Sequence, residues 1–276
     1  MTSGPAEAEP TRLLTEITPD GVMILTFHGP HQRNAAGAEV MPALRAAVTR
    51  AGEDDTVRAV VLTGSEGYFS AGGNVRKMKL GGHPESKGVF SPTGAGLVRG
   101  QEVLDRLHRL PKPTIAAVEG CAVGIGWSFV LACDLTVAAE DSFFMAPHVR
   151  LGLVADGGCA WFLTQALGSR RATQLLTLGE RLPASRAAEL GLVNQVTAPG
   201  AALKEALDWA GRLATGPQDA LRLTKHLVRA AERTPAFRDF LDTELVTVNL
   251  ALHGPDAHEG LAAHLDRREA DFGHAR

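Results

Sequence analysis

The run MAPHVRLGLVADGG (Met145–Gly158) holds one imidazole and one carboxylate in apolar surroundings, His148 and Asp156. An imidazole accepts a proton near neutral pH. A carboxyl group set among apolar side chains can accept or give a proton. Asp156 precedes Gly157, Gly158 and a helix predicted from Ala160. Its type and place therefore suit either a proton shuttle or a helix N-cap. His148 is read the same two ways, as a base or as a structural histidine.

Two glycine-rich turns supply a different kind of chemistry. YFSAGGN (Tyr68–Asn74) follows a strand, and its small residues let a ligand approach backbone N–H groups closely. EGCAVGIGWSF (Glu119–Phe129) joins a strand to a helix, whose first N–H groups lack partners and lie at the positive end of the dipole. Such a start can hold a phosphate or a developing oxyanion. The segment lacks the Lys-Ser/Thr of a P-loop and the spacing of a dinucleotide-binding turn. An oxyanion site is the better match.

The elements that must position these residues alternate between strand and helix. Gly21–Gly29, Val57–Gly64, Thr114–Gly120 and Leu135–Glu140 read as strands, apolar on both faces as buried strands are. Ala38–Ala51 and Gly124–Asp134 read as helices between them. From Ala160 the pattern is helical: Ala160–Leu167, Arg171–Leu178, Ala184–Leu190, Leu203–Ala214, Gln218–Glu232, Pro235–Ala251 and Asp256–Glu269. Only Leu192–Thr197 interrupts it. The alternation predicts an α/β core. The Gly- and Pro-rich stretch Met78–Gly100 is predicted to be a long loop, either functional or a surface insertion.

Composition narrows the class. The 276 residues include 45% hydrophobic side chains, enough for one large core. Net charge is −3 and no basic stripe alternates with aromatics, which argues against nucleic-acid binding. Three cysteines in apolar context read as reduced core residues. The N-terminus shows no secretory pattern and no apolar run reaches a membrane span, so the sequence reads as cytoplasmic.

Five segments, in order, resemble the crotonase family, also called the enoyl-CoA hydratase/isomerase family. They are GPHQRNAAGAEV (Gly29–Val40), VVLTGSEGYFSAGGNV (Val60–Val75), the long run Leu110–Phe144, LTLGERLPASRAAELGLVNQV (Leu176–Val196) and DAHEGLAAHLDRREADF (Asp256–Phe272). The resemblance spans about Leu14 to Phe272. It implies a crotonase-like spiral of ββα units over residues 11–199, after a disordered tail of residues 1–10. It also implies a C-terminal helical trimerisation region over 200–276. The implied ligand is an acyl-CoA thioester, with coenzyme A as part of the substrate and no separate cofactor or metal. The implied assembly is a homotrimer or a dimer of trimers.

The resemblance assigns roles residue by residue. The thioester carbonyl is expected between the N–H groups of Gly73 and Ile125, flanked by Ala71 and Gly124. Arg33 and Ala35 are expected near the nucleotide end, and Arg76 near a phosphate. The family's two hydratase glutamates fall at Ser128 and His148, so standard hydration lacks its acid–base pair. Asp156 instead resembles the aspartate of the isomerase branches. Phe129, Trp127, Val154 and Trp161 are candidates for the apolar walls around it. The expected activity is migration of a C=C bond in an enoyl-CoA through an enolate. The alternatives are a hydratase or related lyase using His148, a hydrolase, and a non-catalytic acyl-CoA-binding protein. A further alternative is an interaction protein dominated by its C-terminal helices.

Overall fold

The computed structural model describes residues 9–37, 39–75 and 92–273. The first eight residues, Arg76 and the 78–91 part of the long loop lie outside them. The strands, in chain order, are β1 (Arg12–Ile17), β2 (Val22–His28), β3 (Ala59–Gly64), β4 (Thr114–Val118), β5 (Cys121–Val123), β6 (Leu135–Ala139), β7 (Phe143–Met145), β8 (Leu182–Pro183) and β9 (Gln195–Thr197). The helices are α1 (Met41–Glu53), α2 (Pro92–His108), α3 (Ile125–Ala132), α4 (Cys159–Leu178), α5 (Ala184–Glu189), α6 (Ala202–Ala214), α7 (Gln218–Ala231), α8 (Phe237–Leu252) and α9 (Pro255–Asp266).

A six-stranded sheet runs in the order β1-β2-β3-β4-β6-β9, parallel except for the antiparallel β1–β2 hairpin. A second sheet has the order β5-β7-β8. The period-two alternation of the large sheet divides the core. Val60, Leu62, Ala116 and Val118 join a cluster with residues of α1, α2 and α3, among them Leu44, Leu107 and Phe129. Val61, Ile115, Ala117 and Val137 face the other way, onto Ala202, Ala206, Ala210 and Ala214 of α6. Those four alanines recur at helical spacing and are fully buried, so α6 lies close on the sheet. The first helix of the 200–276 region is therefore part of the core.

The mixed α/β core with C-terminal helices agrees with the expected fold class. Several elements differ from the sequence reading. The hairpin strand β1 is exposed along most of its length, so its apolar signal is weak. Strands β5, β7 and β8 have two or three residues each, too short for a periodic pattern. The expected loop Met78–Gly100 is helical from Pro92 onward, where α2 begins. Composition alone marks this stretch as loop, and the described residues from Pro92 show helix instead. The two helices expected at Ala160–Leu167 and Arg171–Leu178 are, by contrast, both present within Cys159–Leu178, separated by a kink at Gly168, whose φ of 73° and ψ of 163° are not helical.

One buried ion cluster fixes the helices to the sheet. Asp134, at the end of α3, accepts hydrogen bonds from the Thr114 N–H at 2.9 Å and hydroxyl at 2.8 Å. It also pairs with Lys225 at 2.6 Å and Arg229 at 3.1 Å, both from α7. All three charged side chains are largely buried, so each is held by its partners more than by water. Cys121, Cys133 and Cys159 are free and buried, as expected. Burial pushes the Cys133 and Cys159 thiols up to about 12, so neither serves as a thiolate nucleophile.

Candidate active site

The two glycine-rich turns meet through Ser70. Its N–H donates to the Cys121 carbonyl and its carbonyl accepts from the Val123 N–H, each at 2.9 Å. Ser70 thus adds a one-residue parallel bridge to β5. Its hydroxyl donates to the Asn34 carbonyl at 2.8 Å and accepts from the Gly72 N–H at 3.2 Å. Three residues beyond Ser70 and its bridge partner Ala122 stand Gly73 and Ile125. Neither of their N–H groups hydrogen-bonds to a described residue. Ile125 opens α3, so its N–H is one of the donors a helix start leaves unpaired. The structure thus leaves both expected oxyanion donors available on neighbouring turns.

Glycine is required where these turns touch. Gly72 has φ 87°, and a Cβ there would lie 2.5 Å from the Val123 carbonyl oxygen. Gly126 sits inside α3, but a Cβ there would lie 2.9 Å from both the Cβ and the carbonyl oxygen of Ser70. Asn34 fixes the outer side of the same turn from a buried, left-handed position (φ 56°). Its side chain accepts from the Gly29 N–H at 2.9 Å and donates to the carbonyls of Ser65 at 2.8 Å and Tyr68 at 2.6 Å. Asn74, which replaces the family's usual Asp, donates to Gln32 at 2.6 Å. It supports the turn without a charge.

The structure brings Asp156 and His148 together. His148 Nε2 lies 3.4 Å from Asp156 Oδ1, with side-chain exposures of 12% and 37%. That carboxylate oxygen and the His148 Nδ1 atom are both buried without a hydrogen-bond partner. The imidazole also faces the oxyanion turn, since a Cβ on Gly124 would lie 3.7 Å from its Nε2. Asp156 is not a helix cap: the N-cap of α4 is Gly158, with no side-chain cap bond. It is the Asp156 carbonyl that is tied down, accepting from the Cys159 N–H at 3.1 Å and the Ser128 hydroxyl at 3.1 Å. The carboxylate is left unengaged by the helix.

Other expectations need correction. Ser128 is fully buried and holds the Asp156 carbonyl, so it is a prop for this loop and does not line a ligand site. Trp127 and Phe129 point into the core, against Phe144 and Phe27 respectively. Val154 is 84% exposed. Of the four candidate walls only Trp161 borders a cavity beside Asp156. Arg33 is exposed with its guanidinium 5.4 Å from the Tyr68 ring centre, a cation–π distance. Ala35 is buried beside it, and the Arg33 carbonyl accepts from the Ala71 N–H at 2.9 Å. Arg76 lies outside the described residues.

Sequence reasoning passed over Ser70 and Asn34, which join the two turns. A small polar residue one position before Ala71 and the glycine pair was the available signal. No group of three or more histidine, cysteine or acidic side chains capable of holding a metal ion occurs among the described residues.

Comparison with known proteins identifies the family. Residues 18–275 match the family model described as enoyl-CoA hydratase/isomerase. The chain is 33% identical to the 1,2-epoxyphenylacetyl-CoA isomerase of Escherichia coli K12, covering 91% of this chain and 95% of that protein. It is 34% identical to a probable enoyl-CoA hydratase of Rhizobium meliloti, covering 95% and 98% respectively. Among solved structures, an enoyl-CoA hydratase from Polaromonas sp. JS666 superimposes with a TM-score of 0.88 at 35% identity, over 94% of this chain and 99% of that one.

The contact between Gly126 and Ser70 generates a specific expectation. Gly126→Ala keeps a helix-compatible backbone but wedges the two turns apart. Turnover of a thioester substrate should fall about 100-fold, the scale of losing one oxyanion donor. Circular dichroism should stay close to that of the parent. Unchanged turnover would show that the spacing of the turns does not matter.

Proposed function

The chain belongs to the enoyl-CoA hydratase/isomerase family, and from that premise we propose that it moves a carbon–carbon double bond in an enoyl-CoA. The observation that carries this reading is the Asp156 carboxylate, unengaged by the helix behind it and standing next to the oxyanion turns. The absence of both hydratase glutamates, at Ser128 and His148, points the same way. So does the likeness to a protein named as an acyl-CoA isomerase.

The chemistry follows from these groups. Asp156 takes a proton from C2 of a 3-enoyl-CoA, and the C2–H electron pair enters the conjugated system. Negative charge gathers on the thioester oxygen, where the Gly73 and Ile125 N–H groups receive it. Backbone donors already in place need no reorganisation as that charge appears. The carboxylic acid then returns the proton at C4, and the product is the 2-enoyl-CoA. One carboxyl performs both transfers. His148, 3.4 Å away, orients it. The coenzyme A portion extends past Arg33, Ala35 and Ala71.

A second reading uses the same contact differently. His148 and Asp156 would act as an acid–base pair that adds water across the double bond of a 2-enoyl-CoA. The prevalence of hydratase names among relatives supports it.

Two substitutions separate these readings. Asp156→Asn should reduce double-bond migration by at least about 1000-fold, since it removes the only transfer group of the isomerase mechanism. His148→Ala should reduce it by about 10-fold through lost positioning. Product analysis by mass spectrometry with 3-enoyl-CoA and 2-enoyl-CoA checks both. Water addition that is lost in His148→Ala would favour hydration. Migration that persists in Asp156→Asn would refute the isomerase mechanism.

We also propose that the protein assembles as a homotrimer or dimer of trimers through its C-terminal helices. Leu245, Val246 and Leu250 of α8 and Leu261 and Leu265 of α9 expose large apolar side chains. Such a set is costly to leave in water. Light scattering should give three or six times the mass of the 29.1 kDa chain. A monomer would contradict this.

A further inference from the structure

A cavity of about 650 Å³ opens beside the Asp156 loop, between α2, the first turn of α4 and α7. Gly157 is the point where cavity and site meet. It lines the cavity, and a Cβ placed on it would lie 2.5 Å from Ile125 Cδ1 on the oxyanion side and 2.8 Å from Leu104 Cδ1 in the cavity wall. The cavity therefore begins one residue from Asp156, and none of Arg33, Ala35 and Ala71 lines it.

The lining changes character within this space. Near Gly157 and Gly158 it is aromatic: Trp161, Phe162 and His108 meet edge to face with ring centres 5.0–5.6 Å apart. Trp161 is 41% exposed although it is large and apolar. Along α7 and the residues after it, the lining is cationic. Five lysine or arginine side chains border the cavity against two carboxylates, Asp105 and Glu232.

Pairing accounts for four of the five cations. Arg109 meets Asp105 at 2.7 Å, Arg222 meets Asp219 at 3.4 Å, and Lys225 and Arg229 share Asp134. Glu232 is also taken up, by Arg229 at 3.5 Å. Arg233 remains. Its Nε donates to the Arg229 carbonyl at 3.1 Å, and it forms no ion pair with a described residue. His108 is pushed down to about 4, first by burial and then by Arg229 and Lys225, so its ring is neutral at pH 7 and stays part of the apolar wall.

We infer that this cavity receives the acyl group, and that the acyl group it fits has an apolar body and a distal carboxylate that pairs with Arg233. The inference rests on the acyl-CoA reading above and adds a substrate class to it: thioesters of dicarboxylic acids. The apolar body lies against Trp161 and Phe162. The carboxylate reaches the rim, where a guanidinium without a carboxylate partner offers two parallel N–H donors.

The test uses saturated thioesters, which cannot undergo double-bond migration. Isothermal calorimetry would compare hexanoyl-CoA with adipoyl-CoA, and octanoyl-CoA with suberoyl-CoA, with free coenzyme A as reference. Each pair differs by a terminal carboxylate in place of a methyl group. In at least one pair the dicarboxylic thioester should bind roughly three- to tenfold tighter, the range of one partly exposed ion pair. Arg233→Gln should bring that ratio to about one, without changing the affinity for free coenzyme A. A ratio near one in the parent protein, or a preference that survives Arg233→Gln, would overturn the inference and leave the isomerase reading intact. Equal weakening of free coenzyme A would also overturn it, by assigning Arg233 to a coenzyme phosphate. Failure of all five compounds to bind would instead remove the acyl-CoA reading itself.

Discussion

The backbone hydrogen bonds of Ser70 are the constraint on which the site depends. They join a turn that follows β3 to a strand of the second sheet, and so set the distance between Gly73 and Ile125. An oxyanion pair is useful only when both donors are in place before charge develops. Here neither donor is carried by a mobile side chain. Asn34 and Asn74 brace the first turn, while α3, buried along most of its length, holds the second. Gly72 and Gly126 are small because the turns are in contact, and a methyl group at either position would separate them.

The Asp156 loop, the proton-transfer half of the proposed site, is built separately and attached by its backbone. The Ser128 hydroxyl and the Cys159 N–H both bond the Asp156 carbonyl. They fix where the loop lies without engaging the carboxylate. Ser128, where the resemblance places a family glutamate, therefore has a structural task, and under the proposed mechanism the acid–base task falls to Asp156 on the next loop. His148 stands between the halves, near Gly124 on one side and Asp156 on the other.

Much of this was legible in the residues, and the limits have physical causes. Long buried strands such as β3 and β4 carry continuous apolar runs, and α6 to α9 carry clear helical periods. Strands of two or three residues, such as β7 and β8, cannot show a period, and β1 is too exposed to show a buried face. The glycine turns announced donors, but only the fold shows that Ser70 couples them. Asp156 looked like a cap because a helix follows it. The cap is Gly158 at φ 75°, a conformation that glycine adopts without strain. Trp127, Phe129 and Trp161 have similar composition signals, and packing alone separates the first two, in the core, from the third, at the cavity.

A single mobile carboxyl makes a claim about one particular proton. The direct measurement is one turnover of a 3-enoyl-CoA carrying deuterium at both C2 positions, in ordinary water, followed by NMR of the product. Transfer by Asp156 alone predicts deuterium at C4 of the 2-enoyl-CoA, less whatever exchanges while the acid is formed. Product with only protium at C4, accompanied by 3-hydroxyacyl-CoA, would contradict the account and place water and a second group in the reaction.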